Sequence, residues 1–243
     1  MLQSFGIRHA PRQLADIIEA CEKEESTYRD FLKALLDSEV KGRNERKRKR
    51  NYAAAHFPPS VRAIEEFDCT ELEGGITPGQ INQLKDLNWL DSCGNIIFAG
   101  PPGLGKTMLA LGLGLHAVDE GYTVAFEKMD SLVRILDSAD TERTAGFRLR
   151  YIRRASLIIV DEIGYTPITR SQANRFFNFI SDSYERASII FTTNKFVPEW
   201  AEVMGDPVLT TAMMDRILHH ARCFSLSGES YRLKHPELFS SGE

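Results

Sequence analysis

A glycine-rich segment at residues 100–107 constrains the fold of this chain more than any other part of the sequence. It matches the pattern G-x-x-x-x-G-K-[ST] at every fixed position, it follows the apolar run Asn95–Ala99, and it precedes a segment of helical character. This context predicts a strand, a phosphate-binding loop and a helix, because glycines allow backbone N–H groups to curve around phosphates. The residues of the loop are Gly100, Pro101, Pro102, Gly103, Leu104, Gly105, Lys106 and Thr107.

Two side chains of this loop have expected roles. Lys106 is expected to reach the β- and γ-phosphates of a nucleotide, and the Thr107 hydroxyl is expected to bind Mg²⁺. ATP and Mg²⁺ are therefore the predicted cofactors. A glycine-rich turn without a ligand is the alternative, and the complete motif in the correct context argues against it.

Short apolar, β-branched runs alternate with helix-length segments in the rest of the chain. The runs cover residues 95–99, 123–126, 157–160 and 189–192. Runs that are apolar on both faces and alternate with helices predict a parallel sheet with helices on both sides. We therefore expect an α/β fold with a three-layer α/β/α core and a mainly parallel sheet.

Polar residues follow two of these runs. Asp161 and Glu162 come directly after residues 157–160, and the carboxyl ends of parallel strands face the ligand crevice. Asp161 is expected to hold Mg²⁺ directly or through water, and Glu162 is expected to polarise the attacking water in hydrolysis. Solvation of a strand end is the alternative, and the phosphate loop upstream favours catalysis. Asn194 either contacts the γ-phosphate or its water, or forms a turn or helix cap.

The N-terminal part of the chain has a different pattern. Apolar residues recur at three- and four-residue spacing over residues 11–40, which predicts two amphipathic helices, with Thr27 and Asp30 as a capping box between them. The second helix runs into a tract with seven basic residues in ten. These residues, which we call the basic tract, are Lys41, Arg43, Arg46, Lys47, Arg48, Lys49 and Arg50.

Prolines at residues 58–59 predict a linker between two domains. We expect an N-terminal helical, basic region that binds DNA or a partner at residues 1–56. The α/β core is expected at residues 57–230, followed by a loosely ordered tail at residues 231–243.

The net charge of −4, from 34 acidic and 30 basic residues, argues at first against binding to nucleic acid. Divided before Ala63, however, the first part has 13 basic and 9 acidic residues, and the remainder has 17 and 25. The basic tract is thus a candidate contact to DNA phosphates, although charge runs are often only solvated surface. A second candidate group, which alternatively forms an exposed, salt-bridged face, contains Arg143, Arg148, Arg150, Arg153 and Arg154.

The cysteines and the apolar segments bear on the cellular compartment. The four cysteines form no C-x-x-C pair and have no nearby histidine at metal-ligand spacing, which predicts free thiols in a reducing compartment and no zinc site. The longest apolar stretch has about ten residues, against roughly 18 for a membrane span. We therefore expect a cytoplasmic protein.

These motifs together resemble those of AAA+ ATPases, and specifically of the IstB-like family of insertion-sequence transposition helpers, relatives of the helicase loader DnaC and the initiator DnaA. The resemblance covers residues 14–233. It is carried, in order along the chain, by residues 100–107, 161–165, 192–194 and 215–220, and the Phe67-Asp68 pair is also in the family style.

The resemblance implies roles that the residue pattern alone leaves open. Asn194 matches the sensor residue that links the γ-phosphate to conformation. Arg216 matches the arginine finger that reaches the nucleotide of a neighbouring subunit, although it could be an ordinary helix cation. An ATP-dependent homo-oligomer without a C-terminal helical lid is therefore expected.

The resemblance also implies a function and partners. It implies an ATPase that assembles on duplex DNA, bends it, and regulates a partner transposase. The main alternative is a DnaC-like helicase loader that binds single-stranded DNA. A small-molecule kinase is a more distant alternative, and the position of Glu162 beside the expected water argues against it.

Overall fold

The computed structural model describes residue 7 and residues 9–165, 167–195 and 199–234. The chain divides into two compact units, residues 1–51 and residues 52–243. The domain limits proposed from the sequence, at residues 56 and 230, stay predictions. Residues 235–243 of the predicted tail lie outside the described part.

The first unit contains helix α1 (Ala10–Lys23) and most of helix α2 (Tyr28–Ala55), which confirms the two predicted helices. Thr27 and Asp30 form the expected capping box, because each side chain accepts a hydrogen bond from the other residue's backbone N–H. The Glu39 carboxylate accepts a hydrogen bond from the Ala10 backbone N–H at 3.1 Å, which satisfies a donor at the start of α1. Helix α2 continues through the basic tract, and all seven basic side chains are exposed.

The second unit is built on five parallel strands in the order β2-β3-β4-β1-β5. The parallel pairing confirms the predicted sheet, and the predicted apolar runs lie in strands except for Thr123, which directly precedes β2. The strands are β1 (Asn95–Ala99), β2 (Val124–Lys128), β3 (Leu157–Ile163), β4 (Ser188–Thr193) and β5 (Ala221–Ser225).

Helices connect the strands. Short 3₁₀ helices at Ile64–Glu66 and Cys69–Glu71 precede the first strand, β1. The helices are α3 (Pro78–Lys85), α4 (Asn88–Asp91), α5 (Lys106–Asp119), α6 (Met129–Ser138), α7 (Arg143–Ile152), α8 (Arg170–Ser183), α9 (Trp200–Met204), α10 (Pro207–Leu218) and α11 (Tyr231–Lys234).

Alternate side chains of the strands build two separate apolar layers. Ile96 and Phe98 of β1 pack in one cluster with Leu109 of α5. Ile97, between them in the sequence, packs in a second cluster with Phe176 of α8. Because both faces of the sheet are covered by helices, the three-layer α/β/α fold expected from the sequence is confirmed.

Strand β5 and helix α10, which follow Asn194, belong to the core. Strand β5 pairs with β1 at the sheet edge, and Met213 of α10 packs in the same apolar layer as α8. Among the described helices, none has the length and apolar character that a membrane span requires.

Candidate nucleotide-binding site

The glycine-rich loop lies between β1 and α5, as the motif predicts. Gly103 and Gly105 have φ angles of 85° and 79°, in the left-handed region that favours glycine. A Cβ atom at Gly103 would also collide with the Ser230 side chain, and one at Gly105 would collide with the Phe67 ring. The loop conformation and its close neighbours therefore both require glycine at these positions.

The C-terminal part of the described chain lies against this loop. The Tyr231 backbone N–H donates to the Gly103 carbonyl oxygen at 3.0 Å. Residues 231–234 form α11, and Lys234 Nζ lies 3.6 Å from a Glu71 carboxylate oxygen. This segment was expected to begin a loosely ordered tail, and no local sequence signal connects it to the loop.

Lys106 and Thr107 begin helix α5. Lys106 Nζ donates to the Pro101 carbonyl oxygen at 2.7 Å, so the side chain folds back over the loop. The Thr107 hydroxyl donates to Asp161 Oδ1 at 2.7 Å, although the two residues are 54 positions apart. The structure thus brings together the two residues predicted to hold Mg²⁺.

Asp161 and Glu162 lie at an irregularity in the sheet, where the register between β3 and β4 shifts between Val160 and Ile163. Glu162 has a φ angle of 64°, which is uncommon for a residue with a side chain. Its backbone N–H donates to Thr192 Oγ1 at 3.0 Å, and the Thr192 hydroxyl donates to Asp161 Oδ1 at 2.5 Å. Bulges of this kind often redirect side chains beside functional sites.

Asp161 is almost fully buried, with 2% of its surface exposed. Burial raises the pKa of its carboxyl group, and the hydroxyl groups of Thr192 and Thr107 partly oppose this effect. A buried carboxylate is costly without a compensating positive charge. A hydroxyl and a carboxylate oxygen at one position are also the hard donors that Mg²⁺ prefers, so the residues present fit this ion.

Lys128, at the carboxyl end of β2, was not identified from the sequence. Its Nζ lies 2.8 Å from Glu162 Oε2, and its backbone is the register partner of Asp161. The hydrogen bond to Glu162 is the main cause of a raised Lys128 pKa, so the ammonium group stays charged. Lys128 could have been identified by the criterion used for Asp161, which is a polar residue near the carboxyl end of a predicted parallel strand.

Asn194 directly follows the end of β4, at the same edge of the sheet as Asp161. Its Oδ1 atom is buried and has no hydrogen-bond partner among the described residues. Buried acceptors are usually satisfied, so this atom is suited to a water molecule or a ligand group.

Arg216 lies in the last turn of α10. It is near the amino-terminal ends of the strands, which we call the amino edge of the sheet, and not near the phosphate loop. It lines a shallow depression together with Asn95 and Ile189, which are near the starts of β1 and β4. Its guanidinium group packs over the Phe177 ring at 5.1 Å and donates to the Ala212 carbonyl oxygen at 2.8 Å. The fold therefore places Arg216 and the phosphate loop of the same chain at opposite edges of the sheet.

The second group of candidate DNA contacts, Arg143, Arg148, Arg150, Arg153 and Arg154, is not uniform. Arg148 is mostly buried; it forms an ion pair with Glu127 at 2.6 Å and donates to the carbonyl oxygens of Ala54, Ala55 and Phe126. These bonds occupy its donors, so the expectation that Arg148 faces DNA is wrong. The other four arginines are exposed, and two of them, Arg143 and Arg150, lie over the Phe147 ring.

Comparison with protein families identifies a single family over most of the chain. A family model described as IstB-like ATP binding protein matches residues 2–238. An ATP-binding protein of insertion sequence IS21 from Pseudomonas aeruginosa is 39% identical over 234 residues, covering 96% of this chain and 88% of its own. An ATP-binding protein of insertion sequence IS5376 from Geobacillus stearothermophilus is 38% identical over 212 residues, covering 87% and 84%.

Solved structures with a similar fold come from replication proteins. DnaI has a TM-score of 0.59 at 16% identity, over 71% of this chain and 95% of its own. The DnaC helicase loader has a TM-score of 0.54 at 16% identity, over 74% and 99%. DnaA bound to AMPPCP and single-stranded DNA has a TM-score of 0.56 at 17% identity, over 77% and 58%. At these identities the similarity shows a shared AAA+ fold.

Proposed function

Because this chain belongs to the family of IstB-like ATP-binding proteins, we propose that it hydrolyses ATP and uses the cycle to assemble on duplex DNA and regulate a partner transposase. The observation that carries the ATPase proposal is the convergence of Thr107, Asp161 and Glu162 beside the phosphate loop. The names of its relatives, which are ATP-binding proteins of insertion sequences, support the role in transposition.

The residues of the loop and of β3 bind and orient the nucleotide in this proposal. The backbone N–H groups of residues 103–105 and of the start of α5 donate hydrogen bonds to the phosphates, and Lys106 leaves the Pro101 carbonyl oxygen to contact them. Thr107 and Asp161 hold Mg²⁺, which when bound neutralises charge on the β- and γ-phosphates.

Glu162 is the proposed general base. Its carboxylate accepts a proton from water as the water oxygen bonds to the γ-phosphorus, while the bond from that phosphorus to the β-γ bridging oxygen breaks and ADP departs. Lys128 neutralises this carboxylate in the present arrangement. Hydrolysis therefore requires that the Lys128–Glu162 ion pair opens, and Asn194 is positioned to bind the water or the γ-phosphate with its unpartnered Oδ1 atom.

Arg216 is proposed to act on a nucleotide bound by a neighbouring copy of the chain. Its position at the amino edge of the sheet supports an action between subunits, since the phosphate loop of its own chain is at the other edge. An arginine supplied from another subunit can accelerate hydrolysis by several orders of magnitude. ATP-dependent self-association follows from this arrangement.

The basic tract of α2 is the proposed DNA contact. All seven side chains are exposed on a single helix. Each phosphate that they neutralise releases counterions, which provides affinity without sequence specificity. Bending duplex DNA costs energy that many such contacts can offset, so assembly and DNA binding are expected to be cooperative.

A binding assay with a non-hydrolysable ATP analogue tests this proposal. Wild-type protein and Lys106→Ala are compared on duplex and on single-stranded DNA of equal length, with the assemblies imaged as particles. We expect nucleotide-dependent oligomers on duplex DNA for the wild type only. A clear preference for single strands would instead support a helicase loader, and binding that is equal with and without nucleotide would contradict ATP-driven assembly.

A further inference from the structure

A glutamate and two histidines come together at the amino edge of the sheet, away from the phosphate loop. Each of Glu185, His219 and His220 offers one ligand atom, and these atoms lie within 4.8 Å of one another. Glu185 is in the turn between α8 and β4, and the two histidines are in the turn between α10 and β5. We propose that this group, which we call the Glu-His-His cluster, binds a Zn²⁺ ion.

Asn95, at the start of β1, connects the chain segments next to the two turns that carry the cluster. Its Nδ2 donates to the Ile217 carbonyl oxygen at 3.0 Å, and its Oδ1 accepts from the Ile189 backbone N–H at 2.9 Å. Its own backbone N–H donates to the His220 carbonyl oxygen at 2.9 Å. These bonds hold the backbone at His220 directly and hold the start of β4, four residues after Glu185, so both ligand-bearing segments are anchored to β1, as a prearranged metal site requires.

Tyr184 orients one of the histidines. Its hydroxyl oxygen lies 2.8 Å from His219 Nδ1. Histidines that bind metals generally donate their second ring N–H to an oxygen, which leaves the other nitrogen free for the ion. With Nδ1–H donating to Tyr184, Nε2 of His219 carries the free lone pair.

The distances and donor types suit zinc. His220 Nε2 lies 3.7 Å from Glu185 Oε1, and tetrahedral zinc with bonds of about 2.0–2.1 Å places its ligand atoms about 3.3 Å apart. Zinc binding therefore requires these exposed side chains to rotate, so that ligand atoms now up to 4.8 Å apart come within about 3.3 Å of one another. Two imidazoles and one carboxylate match zinc better than Mg²⁺ and leave a fourth position for water or a group from another molecule.

Arg216 lies near the cluster, because it lines the same depression as Tyr184, Glu185 and His220. Its guanidinium group, however, packs on Phe177 and donates to the Ala212 carbonyl oxygen. Zinc at the cluster would fix the end of α10, three residues after Arg216. A zinc-dependent change in the rate of ATP hydrolysis through Arg216 rests on the proposed function, whereas zinc binding itself does not.

Titration calorimetry with ZnCl₂ tests the site on the full chain without an affinity tag, free of nucleotide and with excess Mg²⁺. We expect one zinc ion per chain. His219→Asn and His220→Asn should weaken binding by more than tenfold, and Tyr184→Phe should weaken it by about tenfold through loss of the orienting hydrogen bond. His56→Asn, which removes an exposed histidine outside the cluster, should bind zinc as the wild type does.

Thermal unfolding of the metal-free variants establishes that they are folded. Absence of zinc binding to the wild type, or wild-type affinity in both histidine variants, would overturn the site. Hydrolysis is then measured separately, with and without zinc. An unchanged rate of ATP hydrolysis when zinc is bound would overturn the proposed effect of zinc on Arg216. The measured zinc affinity does not depend on whether the protein hydrolyses ATP, so the two proposals can fail separately.

Discussion

Lys128 Nζ lies 2.8 Å from Glu162 Oε2, so the carboxylate proposed to activate water is bound to an ammonium group from the neighbouring strand. Both side chains are partly exposed, at 53% and 40%, which keeps the strength of the ion pair modest. A pair of this kind can open when DNA or a neighbouring subunit changes the end of β2. Basal hydrolysis is therefore expected to be slow.

Lys128→Met should raise the basal hydrolysis rate, because Glu162 is then free to accept a proton from water. An increase of a few-fold without DNA, with a smaller further stimulation by DNA, is the expected result in a steady-state phosphate-release assay. Lys85→Met, which removes a lysine paired with Glu65 away from the site, is the matched control. A Lys128 variant slower than the wild type would show that the lysine assists hydrolysis.

Glu162→Gln should preserve ATP binding and lower the hydrolysis rate by about 10²- to 10⁴-fold, the usual contribution of a general base. Single-turnover hydrolysis and nucleotide-binding titrations separate these two effects. Glu127→Gln is unsuitable as a control because Glu127 forms the mostly buried ion pair with Arg148, so Glu199→Gln serves instead. Wild-type turnover in Glu162→Gln would assign the base to another residue.

Arg216→Ala should bind ATP normally and lose hydrolysis by about 10³-fold or more, as expected for an arginine that acts in trans. Mixing provides a sharper measurement: subunits with Lys106→Ala lack an active nucleotide site but still offer Arg216. Adding them to Arg216→Ala subunits should restore part of the activity. Arg222→Ala, an exposed arginine on β5, is the control. A mixture no more active than its components would contradict action between subunits.

Replacement of the basic residues at positions 46–50 by glutamine should weaken duplex binding and leave ATP binding unchanged. Each phosphate contact that is lost should reduce the slope of log affinity against log salt concentration by about 0.9. Fluorescence anisotropy over a salt series measures this slope. Glutamine at Arg153 and Arg154, exposed members of the second candidate group, gives the loss per charge removed at another position. Equal losses per charge in both variants would indicate that total charge, and not the basic tract, determines binding.

Asp161→Asn should stabilise the nucleotide-free protein near neutral pH. Burial raises the folded-state pKa of Asp161, so its stabilising contribution is complete below the unfolded pKa and is lost as the pH rises through the folded value. A neutral amide avoids the cost of burying the charge, and an increase of about 2–4 °C in melting temperature corresponds to about 1 kcal/mol. The increase should shrink as the pH is lowered toward 4. Destabilisation at neutral pH would mean that the hydroxyl hydrogen bonds outweigh desolvation.

The sequence predicted the sheet well because its strands are short apolar runs separated by amphipathic helices, and each run is a local signal. It also predicted that Thr107 and Asp161 would meet. The phosphate loop and Asp161 both lie at the carboxyl ends of strands, and in a parallel sheet these ends are on the same side. Lys128 was missed because it lies two residues beyond the predicted run 123–126, and its pairing with Glu162 depends on strand order. The α11 segment was missed because its contact with the loop depends on the return of the chain, which no local pattern contains. Arg148 was misjudged for a similar reason: charge suggests exposure, whereas Glu127 and three carbonyl oxygens hold it in a mostly buried position.

The hydrogen bond from Tyr231 to Gly103 has a practical consequence for handling the protein. A fragment that stops before Ser230 would retain every sequence motif of the nucleotide site. It would lack Ser230 and Tyr231, which contact Gly103 in the phosphate loop. Such a fragment should bind ATP more weakly for a reason that motif inspection does not reveal. A tag or fusion partner attached directly after α11 would lie close to this contact, so an N-terminal tag with a cleavage site is the safer design for nucleotide measurements.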